Sequence, residues 1–212
     1  MNLPTKITFA RIIATVLLII ALFVMSLIDF VAPTLGNTGI NLVFLIIFVF
    51  FVLASYTDHL DGKLARKNNQ VTNLGKFLDP VADKLLVSSM LIFLVAPSLF
   101  ARYAPDQVAS FSVWCVIIMV ARDTVVDAMR FIAAQKNVVI AANIFGKMKT
   151  VLQMVAIGVV LLNGFPFNYF DASWPVGLHI SDFLVYLATL VSFLSGVIYV
   201  YQNRHVLKEE KK

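Results

Sequence analysis

Long uncharged stretches alternate with short charged ones along this chain. The uncharged stretches cover 12–28, 30–57, 85–101, 107–121, 150–170 and 183–203. A helix needs about 20 predominantly apolar residues to cross roughly 30 Å of hydrocarbon, so each stretch is a candidate spanning segment. Within the second, Pro33, Gly36, Asn37 and Gly39 mark a turn, and the spanning part is expected from about Ile40 to Thr57. The pattern predicts six spanning helices, several running on into their charged flanks. The first is expected to be retained, because it is longer than the apolar part of a signal peptide and no small-residue cleavage site follows it.

Composition agrees with lipid as the solvent. Of 212 residues, 60% are hydrophobic and 14% charged, whereas soluble domains are nearer half and a quarter. Mean hydropathy is +0.88. A soluble fold of this size could not hide so much apolar surface. A disordered chain, a secreted disulfide scaffold and an ordinary cytosolic enzyme are therefore excluded. The single cysteine, Cys115, allows no intramolecular disulfide.

The net charge of +5 says less than the placement of the charges. With the N-terminus in the cytosol, every one of the 17 basic residues except Arg102 falls on an inner segment, as the positive-inside rule requires. This supports an even number of spans with both termini cytosolic. It also attributes the positive charge to topology and anionic substrates, with no nucleic-acid partner. The outer loop over 163–182 carries no lysine or arginine, and its Phe165, Phe167, Tyr169, Phe170 and Trp174 suit a membrane interface. The expected fold is an all-α integral membrane protein, one domain over 1–212, with no internal repeat.

Four of the twelve acids carry the candidate chemistry. Asp58, Asp61, Asp79 and Asp83 lie at the inner ends of two predicted helices. Residues three or four apart share a helix face, so Asp58 projects with Asp61 and Asp79 with Asp83. A short polar turn over 67–70 makes the two helices antiparallel neighbours, which lets four carboxylates converge. Unpaired, they would repel one another and lose hydration at the membrane edge, a conflict that divalent cations resolve. All-oxygen donors suit Mg²⁺, Mn²⁺ or Ca²⁺, and the scattered histidines supply no zinc site. Four carboxylates suffice for two bridged ions, the arrangement that clamps attacking and leaving oxygens in phosphoryl chemistry. Gly62 and Ala65 beside the first pair, and Gly75 before the second, leave space for a ligand to reach backbone. Arg66 offers a planar fork for phosphate. The set reads as a diphosphate–metal pocket at the cytosolic surface. Plainer readings pair Asp58 and Asp61 with Lys63 or Arg66, and make Asp79 an N-cap with Pro80 in the first turn, a role compatible with ligation.

The pattern D-x2-D-G-x2-A-R-x8-G-x3-D-x3-D, met at Asp58, Asp61, Gly62, Ala65, Arg66, Gly75, Asp79 and Asp83, resembles the signature of the CDP-alcohol phosphotransferase family. The six-helix layout is similar as well. The resemblance implies two divalent ions, Mg²⁺ or Mn²⁺, on the four aspartates, with Asp83 as general base. It implies cleavage of a CDP-linked lipid with release of CMP. Gly62, Ala65, Arg66 and Gly75 match positions around the CDP-lipid, and Thr72 falls where the family has a hydroxyl near the nucleotide phosphates. A homodimer in a bacterial cell membrane is implied with it.

A second polar cluster bears on the acceptor. The fourth predicted helix runs into Arg122, Asp123, Asp127 and Arg130, and the fifth opens on Gly146, Lys147 and Lys149. Arg122 and Arg130 are about two turns apart and share a face. Arg122, Arg130, Lys147 and Lys149 form a candidate phosphate pocket for a phosphorylated acceptor, since an uncharged one would need no concentrated positive charge. The bland alternative has Asp123 and Asp127 paired with Arg130 or lysines, and the lysines enforcing topology. The runs 79–84, 122–123 and 146–153, and the opening segment 2–11, resemble the branch of the family that joins CDP-diacylglycerol to sn-glycerol 3-phosphate. The departure is Thr5, where an asparagine is usual. A cardiolipin-forming branch that uses phosphatidylglycerol is the competitor within the family, and a membrane metal or ion transporter the competitor outside it.

Overall fold

The computed structural model describes residues 2–67, 72–136, 138, 144–171, 173–175 and 177–207. Seven α-helices account for most of them: α1 (Leu3–Leu27), α2 (Leu42–Lys67), α3 (Asn73–Leu94), α4 (Val113–Gln135), α5 (Ile144–Leu161), the short α6 (Asn168–Asp171) and α7 (Ile180–Gln202). Among the described residues there is no β-strand, only an isolated bridge between Thr34 and Asn41. Thr5–Leu27, Ile144–Leu161 and Ile180–Gln202 are long and apolar enough to cross a membrane, and Leu42–Asp58 is a shorter apolar segment.

Helix ends depart from the uncharged stretches wherever turn chemistry intervenes. The stretch 85–101 stays helical only to Leu94, and Pro97 then opens a 3₁₀ turn. The stretch 107–121 becomes α4 only at Val113, and α5 ends at Leu161 although no charge appears until Asp171. At that end Asn163 and Gly164 both take positive φ, and the Gly164 amide donates to the Val159 carbonyl at 2.9 Å. This left-handed exit stops a helix that hydrophobicity alone would continue. The start of α3 also corrects an expectation. Thr72 is the N-cap, its Oγ1 accepting from the Gly75 amide, and Pro80 lies inside the helix. Asp79 therefore caps nothing and presents its carboxylate from within α3.

The helices pack as two groups. α1 lies against α2 and α3, α4 against α7, and α5 packs on α7 while also touching α2 and α3. One apolar core runs through both groups. Phe44, Phe93 and Phe100 form its aromatic centre, with ring centroids 5.1–5.8 Å apart. The outer surface is inverted relative to a soluble protein. On α1 the side chains of Phe9, Ile13, Leu17, Ile20 and Phe23 are exposed, while Thr5, Thr8, Arg11 and Thr15 are buried. Polar-in and apolar-out is the arrangement of a helix solvated by lipid.

The two ends of the bundle are held differently. At one end ion pairs link α1 to α2, α3 to α4, and α4 to α5. At the other, neutral amides tie the loops. Asn163 Nδ2 donates to the Gly39 and Asp106 carbonyls, both at 3.0 Å, and Asn163 Oδ1 accepts from the Val108 and Ala109 amides. Asn41 Nδ2 donates to the Ala32 and Tyr103 carbonyls. Asn163→Ala is expected to destabilise the fold by about 2–4 kcal/mol, through lost hydrogen bonds and a left-handed backbone imposed on alanine. Asn163→Gly, which tolerates that backbone, is expected to lose less. Unfolding midpoints in detergent measure both, and equal losses would remove the backbone contribution.

Candidate active site

The polar stripe on α1 builds the first half of the site. Thr5, Thr8, Arg11 and Thr15 recur at intervals of three, three and four, so they share one helix face. That face meets the acidic ends of α2 and α3. Thr8 Oγ1 donates to Asp79 Oδ1 at 2.9 Å, and Thr5 Oγ1 lies 3.0 Å from Thr72 Oγ1. The Arg11 guanidinium pairs with the Asp58 carboxylate. Arg11 is 6% exposed, and its Nε and Nη2 have no partner among the described residues. Asp58 thus pairs with α1, while the Lys63 and Arg66 side chains of the plainer reading lie outside the described residues. A Cβ on Gly75 would stand 3.1 Å from Thr72 Oγ1 and 3.4 Å from Thr5 Oγ1. In this structure, then, Gly75 permits the close approach of α1.

Asp83 joins this cluster to the next. The charges that act on it belong to Asp58, Lys149, Arg11 and Asp123, drawn from four helices. Asp58, Asp79 and Asp83 offer only carboxylate oxygens, the donor chemistry of a hard divalent cation. No three described His, Cys, Asp or Glu residues close around one point. The side chains of Asp61, Gly62, Ala65 and Arg66 lie outside the described residues.

A cavity of about 730 Å³ opens between α3, α4, α5 and α7, and all four expected acceptor cations line it, together with Asp83. Lys149 is 6% exposed, and its Nζ donates to both oxygens of Asp123 at 2.8 and 2.6 Å. Arg122 Nη1 donates to the same carboxylate at 2.9 Å. Arg130 Nε donates to the Tyr199 hydroxyl at 3.3 Å, and its guanidinium carbon sits 5.6 Å from that ring's centre. Lys84 pairs with Asp127 and closes the α3 side. Asp123 and Asp127 are therefore paired as the plainer reading anticipated, though not with Arg130. Five cations against three carboxylates still leave the cavity net positive. Lys147 lines it and is exposed.

Several residues of this site escape a search for charged motifs. Gly196 on α7 faces Arg122, and a Cβ there would lie 2.6 Å from Arg122 Cγ. Tyr199, three residues further along, holds Arg130. Arg11 and Thr8 sit in the opening segment, where their three-residue spacing in an otherwise apolar helix was a usable signal. Gly196 and Tyr199 gave none, because small and aromatic residues are ordinary in an apolar helix.

The profile of the CDP-alcohol phosphatidyltransferase family matches residues 1–198. A CDP-diacylglycerol–glycerol-3-phosphate 3-phosphatidyltransferase of Bacillus subtilis is 38% identical over 207 residues, covering 98% of this chain and 97% of the relative. The protein of the same name from Mycoplasma pneumoniae is 36% identical over 225 aligned residues, covering 100% of this chain and 91% of the relative. That from Rickettsia bellii is 32% identical over 200 residues, 93% of each. The family model and these relatives match nearly the whole length of the chain, and the chain belongs to the CDP-alcohol phosphatidyltransferase family.

Proposed function

We propose that this protein transfers the phosphatidyl group of CDP-diacylglycerol to sn-glycerol 3-phosphate, giving phosphatidylglycerophosphate and CMP. The observation that carries the reading is the single cavity in which Asp83 faces Arg122, Arg130, Lys147 and Lys149. A reacting carboxylate beside a cationic recess fits an acceptor that bears both a hydroxyl and a phosphate. Relatives named for this donor and acceptor support the same substrates.

The acceptor phosphate is held by Lys149, Arg122 and Arg130, with Lys147 at the rim. Its terminal hydroxyl then points toward Asp83, which takes the proton as the oxygen attacks the β-phosphorus. The new oxygen–phosphorus bond replaces the one to the α-phosphate oxygen, and CMP leaves with that electron pair. Neutralisation of the diphosphate and of departing CMP is the chemistry that divalent ions supply when bound by Asp58, Asp61, Asp79 and Asp83. Arg11 and Thr8 fix the directions of Asp58 and Asp79, and the unpartnered Nε and Nη2 of Arg11 favour an anion nearby. Gly62, Ala65, Arg66, Thr72 and Gly75 are the residues assigned to the CDP-lipid.

Six spans with both termini in the cytosol fit this arrangement. The described residues of the proposed site lie at one end of the bundle, with the basic residues that line the cavity. The protein then works at the cytosolic face of a bacterial cell membrane, where soluble glycerol 3-phosphate meets the lipid donor.

The test is CMP release by purified protein with CDP-diacylglycerol and Mg²⁺. Release is expected with glycerol 3-phosphate and not with phosphatidylglycerol, inositol phosphate or serine. Release with phosphatidylglycerol alone overturns the acceptor, and metal flux in vesicles without CMP overturns the enzyme. A narrower prediction concerns Gly196→Ala. By displacing Arg122 it is expected to raise the KM for glycerol 3-phosphate about tenfold, as loss of roughly 1.4 kcal/mol of binding requires, with the KM for CDP-diacylglycerol unchanged. Equal changes in both would mean that the substitution separates α4 from α7 generally.

A further inference from the structure

Gln153 is among the most buried polar residues that line the cavity. It lies one helical turn beyond Lys149 on the same face of α5, is 2% exposed and lines the cavity wall. Its Nε2 is buried with no hydrogen-bond partner among the described residues. Burying an amide donor and leaving it unpaired costs free energy, so such a group in a cavity wall marks the place of a ligand acceptor atom. Lys149, the proposed phosphate ligand, pairs with Asp123 one turn closer to the charged end of α5, and Asp83 lines the same cavity from α3. A three-carbon acceptor with its phosphate at Lys149 and its reacting hydroxyl at Asp83 has one polar atom left over, on its middle carbon.

We infer that Gln153 is a specificity-determining residue that hydrogen-bonds the middle hydroxyl of the acceptor and so selects a glycerol phosphate over a phosphate ester of a simple diol. The inference rests on the proposed function. Neither substrate charge nor the attacking oxygen is involved, so Gln153 sets which acceptor is taken without taking part in proton transfer. A site that reads a hydroxyl rejects the analogue lacking it far more strongly than an apolar pocket rejects a missing methylene, because the site's own buried group is then left unpaired.

The test compares sn-glycerol 3-phosphate with 3-hydroxypropyl phosphate, which lacks only the middle hydroxyl, in the intact protein with CDP-diacylglycerol and Mg²⁺. The protein is expected to favour glycerol 3-phosphate in kcat/KM by about 10- to 100-fold, as one buried hydrogen bond provides. In Gln153→Met, similar in shape but without the amide, that ratio is expected to fall to about threefold or less. The loss should come from glycerol 3-phosphate, with the diol phosphate used as before. The thermal midpoint of the acceptor-free variant is expected to match or exceed that of the parent, because an unpaired buried amide has gone. A parent protein that uses both acceptors equally overturns the inference alone, whatever the variant does. So does a variant that keeps the full ratio, or one whose midpoint falls, since a fall would make Gln153 a structural residue. A parent that turns over neither acceptor overturns the proposed function together with this inference.

Discussion

Asp83→Asn is expected to lower kcat by about 10²–10⁴-fold, the usual contribution of a positioned general base, while leaving CDP-diacylglycerol binding intact. Asparagine keeps the size of the side chain and one acceptor oxygen but cannot take the proton of the attacking hydroxyl. The surroundings make the position unusual among the three motif aspartates whose side chains are described. Asp58 is held by Arg11 and Asp79 by Thr8, whereas Asp83 faces the cavity that holds the acceptor cations. The proton-accepting role proposed for it rests on that placement. Binding of labelled CDP-diacylglycerol and single-turnover CMP release, measured on the same preparation, separate the two effects. A variant that binds the lipid and turns over within about threefold of the parent would remove Asp83 from proton transfer.

Lys149→Met is expected to raise the KM for glycerol 3-phosphate by about 10- to 100-fold, the effect of losing one charge-assisted hydrogen bond in a buried site. The KM for CDP-diacylglycerol should change by less than about twofold. Two features place Lys149 ahead of its neighbours. It is buried, so its charge is poorly screened, and it shares Asp123 with Arg122. Without Lys149 the carboxylate turns wholly to Arg122 and withdraws that cation from the substrate as well. The exposed Lys147 has neither feature, and Lys147→Met should cost less. Steady-state kinetics with each substrate varied in turn provide the comparison. Equal effects of the two lysines, or equal rises in both KM values, would reduce the pocket to a diffuse electrostatic field.

Much of this architecture was legible before the structure. In a membrane protein charges are rare enough that each has a reason, so the sorting of lysines and arginines and the clustering of four aspartates carried strong information. The existence of six long helices followed from the same scarcity. What stayed hidden depended on atoms that hydrophobicity does not weigh. Helix ends were set by Pro97, by the left-handed pair Asn163–Gly164 and by the Thr72 cap. Pro80 was misplaced because a proline usually opens a helix, whereas here a cap eight residues earlier had already started it. The roles of Thr8 and Arg11 required knowing that α1 packs on the acidic helix ends. Gly196 and Gln153 acquire meaning only across helices, one by the side chain it admits and the other by the bond it lacks.

The central claim is that one cavity joins a CDP-lipid to a small phosphorylated alcohol, and isotope transfer tests it most directly. Glycerol 3-phosphate labelled in carbon is incubated with the purified protein, CDP-diacylglycerol and Mg²⁺, and the lipid is extracted and weighed by mass spectrometry. Label is expected in a lipid that carries two phosphates, in equal amount with the CMP released. Label that stays in the aqueous phase while CMP appears, or while added phosphatidylglycerol is converted to cardiolipin, would contradict the account.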